Sequence, residues 1–188
     1  MFDFNNAKTQ RSRDLIRRDT IATLHLTIKP GDCGEGKWLK KSQDGTSEGL
    51  DCEFTLVDGE HAKRKFWMRL TVSGETDGQK QAADISGQTL RAILESARGI
   101  RPDDMSENAK QARQVAGWAD FNGIRFMGRI GVEPAKGQYP AKNILLEVIT
   151  PERKEWHLVE QVVKSAERPT QLAAPEPAQP VARPNWAK

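Results

Sequence analysis

Three alternate residues, Lys65, Trp67 and Arg69, set a large aromatic ring between two cations, and the residues interleaved with them, Phe66, Met68 and Leu70, are apolar. On a strand, successive side chains point to opposite faces, so the apolar set turns inward and the cation–aromatic–cation set turns outward. That outward set suits a single nucleic-acid strand. A base stacked on Trp contributes about 1–3 kcal/mol whatever its identity, while flanking cations neutralise phosphates and release counterions. Trp38 repeats the theme beside Lys37, Lys40 and Lys41, Tyr139 lies between Lys136 and Lys142, and Arg125 and Arg129 share the outward side of a later alternating run. Each segment also has a plainer role: Trp67 filling a second core beneath a helix, Trp38 covering the end of a barrel, and the cations solubilising a strand face. The recurrence across four segments favours binding. Asp51 and Glu53 project from the preceding strand, where pairing with Lys65 or Arg69 across the hairpin would reduce the charge offered to phosphates.

Other chemistries find less support. His25, His61 and His157 lie far apart, and Cys33 and Cys52 have no neighbouring Cys or His at a zinc-ligand spacing, so both are expected to be reduced thiols. The glycines between Gly74 and Gly78 lack the Gly-Lys-Ser/Thr ending of a phosphate-binding loop. Asp103, Asp104, Asp120 and Glu133 are the carboxylates a metal-dependent nuclease would need, but Asp103 and Asp104 follow a helix stop as capping residues do and Glu133 ends a strand. No catalytic residue, metal or cofactor is expected.

The 188 residues accommodate one domain and an appendage, with 37% hydrophobic and 29% charged residues, a net charge of +3 and a pI near 8.9. Residues 1–19 carry Lys8, Arg11, Arg13, Arg17 and Arg18 and read as a basic arm without an apolar signal segment. From Thr20, Ala22, Leu24, Leu26 and Ile28 alternate with more polar residues, the period-two signature of a strand. A short basic edge strand around Trp38 follows. Leu50, Cys52, Phe54 and Leu56 then face Phe66, Met68, Leu70 and Val72 across the Asp58-Gly59 turn. Ser86 can cap a helix bearing Leu90, Ile93, Leu94 and Ala97, and a second helix is expected over residues 106–116. Ile124, Phe126, Ile130 and Val132, with Gly128 as a point of bending, and then Ile144, Leu146 and Val148 supply two more strands. Three strands, a helix and two strands make the order βββ-α-ββ of an OB-like, partly open five-stranded barrel over residues 20–151. A short helical extension is expected over 152–165, and a disordered Pro/Ala-rich tail over 166–188.

Several pieces between Leu24 and Pro151 resemble a family of small phage and prophage proteins long classed as a domain of unknown function, some of them assigned to single-stranded DNA binding. The pieces are Leu24-His25-Leu26-Thr27-Ile28-Lys29-Pro30-Gly31, Lys65-Phe66-Trp67-Met68-Arg69-Leu70, and Gly131-Val132-Glu133 followed by Gly137-Gln138-Tyr139-Pro140-Ala141-Lys142-Asn143. The resemblance implies a hairpin with Tyr139 and Asn143 at its loop end, and a setting in phage replication or recombination. Bacterial single-stranded DNA-binding proteins commonly end in an acidic tail with a terminal aromatic; this chain has Trp186 without the acid.

The sequence therefore points to a cytoplasmic, non-enzymatic binder of single-stranded DNA, with Trp38, Lys40, Lys41, Lys65, Trp67, Arg69, Arg125, Arg129, Tyr139 and Lys142 as its contacts. The expected partners are single-stranded DNA and a recombinase or nuclease docking at Trp186, with no membrane, and self-association is open. A protein-binding adaptor using an exposed strand edge is the alternative.

Overall fold

Period-two burial runs through most of the strands. The computed structural model describes Asp3, Asn5, Asn6 and residues 14–161. Strand β1 (Thr20–Ile28) buries Leu24, Leu26 and Ile28, and β3 (Ser47–Leu56) buries Leu50, Cys52, Phe54 and Leu56. Between them lies the two-residue strand β2 (Lys40–Lys41). Strand β4 (Lys65–Gly74) turns Phe66 and Leu70 inward while Lys65, Trp67 and Arg69 stay exposed, as alternation predicts. Strands β5 (Arg125–Glu133) and β6 (Lys142–Val148) complete the set.

All ladders are antiparallel. One edge of β3 carries β4; the other carries β1 along Cys52–Leu56 and β2 along Glu48–Gly49. β1 pairs with β5, and β5 with β6. The path β4-β3-β1-β5-β6 thus brings its two end strands, running in the same sense, against each other, and among the described residues no ladder joins them. This is an OB-like, partly open barrel with the helix between its third and fourth long strands. The interior is one apolar cluster in which Phe54 stacks on Phe66 at 5.1 Å and meets Phe126 edge-on at 6.1 Å. Gly128 faces this interior, where a Cβ would lie 2.6 Å from Leu24 Cδ1, and the β5 register shifts just beyond it, between Arg129 and Ile130.

Helix α1 (Asp77–Arg98) packs on β4, β5 and β6 and adds Leu90, Ile93, Leu94 and Ala97 to the core. It starts nine residues before the expected cap. Thr76 and Gln79 form a reciprocal capping box, and Ser86 is buried within the helix instead of opening it. The polar first turns hide this start from a hydrophobic-periodicity argument. Helix α2 (Glu107–Ala112) is capped by Ser106 and stops short of residue 116. The buried carboxylate of Glu95 accepts from Arg91 at 2.8 Å and Arg113 at 2.7 Å, and Arg113 also donates to the carbonyls of Arg101 and Asp104, which fastens the segment between the two helices.

Two expectations at the barrel's margins are corrected. The end of the basic arm is part of the fold: Ile16 is only 1% exposed, because the Asn143 side chain accepts from its N–H at 2.9 Å and donates to its carbonyl at 2.8 Å. Residues 152–161 form turns and extended chain, not the helical extension. Trp156 Nε1 donates to the Ser96 carbonyl, and the Gln161 amide bonds both backbone groups of Arg125, so this segment lies across β5 and joins Met127, Ile149 and Val159 in a second small cluster. Residues 162–165 and the tail over 166–188 lie outside the described residues. Among the described residues no helix is long and apolar enough to cross a membrane.

Candidate nucleic-acid interface

Alternation along β4 presents Trp67 outward, and the ring is 52% exposed. It is held in orientation rather than left loose. Its indole N–H donates to Glu53 Oε2 at 2.9 Å, and the Lys29 ammonium sits 5.5 Å from the ring centroid. Lys65 reaches the other oxygen of Glu53 at 2.5 Å. One register step along, Arg69 donates to the Lys40 carbonyl at 2.6 Å and, with Lys40, faces Asp51. The expected pairing of Asp51 and Glu53 across the hairpin is therefore present. Hydrogen bonding from Lys65, with that from Trp67 and the charges of Lys65 and Lys29, holds the Glu53 carboxyl below its ordinary pKa against the opposing cost of desolvation.

Beside Trp67, a groove of about 480 Å³ opens between the first residues of β4 and of β6. Leu15, Phe66, Trp67 and Ala141 give it an apolar floor, with Lys63, Arg64, Lys65 and Lys142 around it. Lys142 also pairs with Glu133 at 3.0 Å, and Arg64 donates to the Asp14 carbonyl. Tyr139 projects from the loop before β6, 69% exposed, its backbone paired with that of Lys136. Aromatic surface and positive charge thus meet where the barrel is unclosed.

The structure brings Lys65, Trp67, Arg69 and Lys40 onto one face, with Lys142 at its margin and Tyr139 in the exposed loop before β6. Lys41 is exposed in β2, its N–H directed to Asp32. Trp38 is different: it is half-buried against the core with its ring over Gly36, so it covers the barrel wall and is not an open stacking platform. Arg125 and Arg129 are corrected outright. They belong to β5, which is not a neighbour of β4, on a surface overlaid by residues 149–161. Arg129 pairs with Glu147 at 3.1 Å and Glu155 at 3.5 Å, and Arg125 Nε is buried with no hydrogen-bond partner among the described residues. In the sheet, β3 and β1 lie between both arginines and the face that carries Trp67. Trp186 lies outside the described residues.

Leu15, Lys29, Lys63 and Arg64 escaped sequence reasoning. Lys63 and Arg64 sit in the hairpin loop, where no periodicity assigns a direction, and Leu15 is brought in by a contact across more than a hundred residues. Asn143 was singled out only by the resemblance; its buried side chain anchors Ile16 and also donates to the Gly131 carbonyl.

The carboxylates considered for metal chemistry are dispersed. Asp103 pairs with Arg101, Asp104 accepts from the Ser106 N–H, Asp120 accepts from the Ala116 N–H, and Glu133 pairs with Lys142. Among the described residues no three His, Cys, Asp or Glu side chains group as a metal site. Both cysteines are free thiols, that of Cys33 donating to the Leu39 carbonyl, and burial pushes Cys52 up to about 12. No protein-family model matches the chain, and no curated protein matches it, so the resemblance noted above rests on its quoted segments alone.

Proposed function

We propose that the chain binds single-stranded DNA without sequence preference and without catalysis, in the cytoplasm, as an accessory to phage or prophage replication or recombination. The observation that carries the reading is the exposed, oriented Trp67 at the mouth of a cation-rimmed groove in the open seam of an OB-like barrel. OB-folds commonly use the outer face of their second and third strands, with the loops between strands one and two and between four and five, for oligonucleotides. Here those elements are β3, β4, the chain over 29–46 and the loop over 134–141, which supply Trp67, Lys65, Arg69, Lys40 and Tyr139. The analogy concerns topology; the argument rests on the side chains.

Magnitudes favour capture of phosphate over the internal ion pairs. Partly exposed pairs such as Lys40–Asp51 contribute about 0.2–1 kcal/mol, whereas one stacked base contributes about 1–3 kcal/mol and each neutralised phosphate adds counterion release. Lys29 occupies one side of the Trp67 ring, so a base stacks on the opposite side or displaces that ammonium. The test is Trp fluorescence during titration with a single-stranded oligonucleotide at low and high salt, with a duplex of the same length as control. Salt-sensitive quenching by the single strand is expected, weakened about 5- to 150-fold in Trp67→Ala while melting changes little, since the ring is largely outside the core.

A second reading, a protein-binding adaptor, draws on β6, whose outer edge is unladdered among the described residues and whose Leu146 is exposed beside Ile85 of α1. An extended peptide could add there as a strand. Absence of any fluorescence response to the oligonucleotide at low salt would favour it.

A further inference from the structure

A second groove, of about 480 Å³, lies between α1, the segment over 101–115 and the turn at Trp118–Phe121. It shares no lining residue with the groove beside Trp67 or with the exposed surface of β6. Leu90, Leu94, Met105, Val115 and Trp118 line it, and Met105 is 65% exposed. Polar bonds hold this apolar surface in place. Arg91 donates to the buried Glu95 carboxylate and, at 3.0 Å, to the Pro102 carbonyl. Arg113 joins the same carboxylate to the carbonyls of Arg101 and Asp104, and Arg98 donates to the Ala112 carbonyl. The wall facing α1 is thus fixed by hydrogen bonds that leave Met105 and Val115 exposed to solvent.

Among the described residues, the charged side chains lining the groove are all cations: Arg91, Lys110 and Arg113. Glu95 meets two of them from beneath, and Glu107, which meets Lys110, is an exposed partner of the kind that contributes little. Gly87 lies on the same stripe of α1, one turn before Leu90 and Arg91. Glycine inside a helix costs about 1 kcal/mol relative to alanine, and packing does not call for one here, since a Cβ would meet nothing within 4 Å. Its missing side chain leaves room in the groove.

We propose that this groove docks an acidic peptide segment of a partner protein, whose large apolar side chains enter beside Met105, Leu94 and Trp118 while its carboxylates meet Arg91 and Lys110. Trp118 is partly buried and packs on Phe121 at 6.4 Å, so it offers no open ring for a base, in contrast to Trp67. The proposal does not depend on the single-strand reading.

The experiment selects a displayed library of random peptides on the immobilised full chain. Enriched peptides, labelled with fluorescein, are then titrated by anisotropy into the unaltered chain, Gly87→Leu and Arg91→Ala/Lys110→Ala, with melting curves for each. The enriched sequences are expected to combine acidic with large apolar residues. Gly87→Leu, which fills the groove, should bind them at least about tenfold more weakly and melt no lower than the unaltered chain. The double variant should bind more weakly with a reduced salt dependence. Because Gly87→Leu enters open space, it keeps the test valid even where the double variant loses stability through Glu95. Enrichment of no peptide, of peptides without acidic residues, or of peptides indifferent to Gly87→Leu overturns the proposal. A dimer that Gly87→Leu dissociates also overturns it, since the occupant would then be a second copy. So does an equal loss of thymidine-oligonucleotide binding in Gly87→Leu, which would assign the groove to nucleic acid.

Discussion

Glu53 decides how much positive charge the β3–β4 face offers an anion. Its carboxylate takes Lys65, the Trp67 indole N–H and Lys29 at once, and the Lys65 hydrogen bond is the first cause of its lowered pKa. A carboxylate with a folded pKa below its unfolded value, here near 4.5, contributes stability that is fully present above that value and lost as pH falls through the folded one. Glu53→Gln is therefore expected to melt lower than the unaltered chain at pH 7, with the gap narrowing as pH falls from 4.5 through the lowered folded value. Melting curves taken from pH 7 into the acid range check this; a gap that never narrows on acidification would assign the loss to packing instead of charge. The same substitution releases Lys29 and Lys65, so oligonucleotide affinity at pH 7 should rise and its salt dependence steepen. Alternation alone placed Lys65, Trp67 and Arg69 outward and Glu53 opposite them. That one carboxylate would gather three partners was not legible, because Lys29 reaches it from the end of a different strand.

At the scale of elements, the margins of the barrel carry the least expected physics. Ile16 looked like part of a polar arm, yet it is as buried as the strand residues, and Ile16→Ala is expected to cost about 2–5 kcal/mol, read as a drop in denaturation midpoint. Leu15→Ala, at a side chain that is largely exposed, should change that midpoint little; equal losses at the two positions would contradict the anchored geometry. Gly128→Ala tests the interior from the other direction. A Cβ there meets Leu24 Cδ1 at 2.6 Å and Leu145 Cδ1 at 2.9 Å, so overpacking of about 1–3 kcal/mol is expected. The strands were readable because each buries one face. The first turns of α1 and the chain over 152–161 were not, since their placement comes from a cap and from single hydrogen bonds to β5.

For the molecule as a whole, the two basic surfaces are inequivalent. Arg125 and Arg129 have the same outward register as Lys65 and Arg69, but the chain over 149–161 lies across their side of β5. Arg129→Ala is accordingly expected to leave oligonucleotide affinity and salt slope unaltered, whereas Lys65→Ala should flatten the slope by about 0.7. Parallel salt titrations of the two variants check this, and an equal effect in both would show that binding does not centre on Trp67. Charge on a surface becomes a site only where backbone and neighbouring elements leave it reachable.

The sequence by itself determined the long strands, the inward faces of β1, β3 and β4, the helix that completes the core and the outward Trp67 between cations; on β6 it chose the wrong face, for Leu145 enters the core and Leu146 is exposed. These depend on local periodicity, and the hydrophobic effect acts on that pattern wherever the strand lies in the sheet. Only the tertiary structure decided that β4 and β6 meet without pairing and open a groove, that Asn143 holds Ile16 so that Leu15 lines it, and that the β5 arginines are overlaid. Those outcomes depend on which distant segments share a surface, and no spacing along the chain encodes a contact between residues 16 and 143 or between 125 and 161.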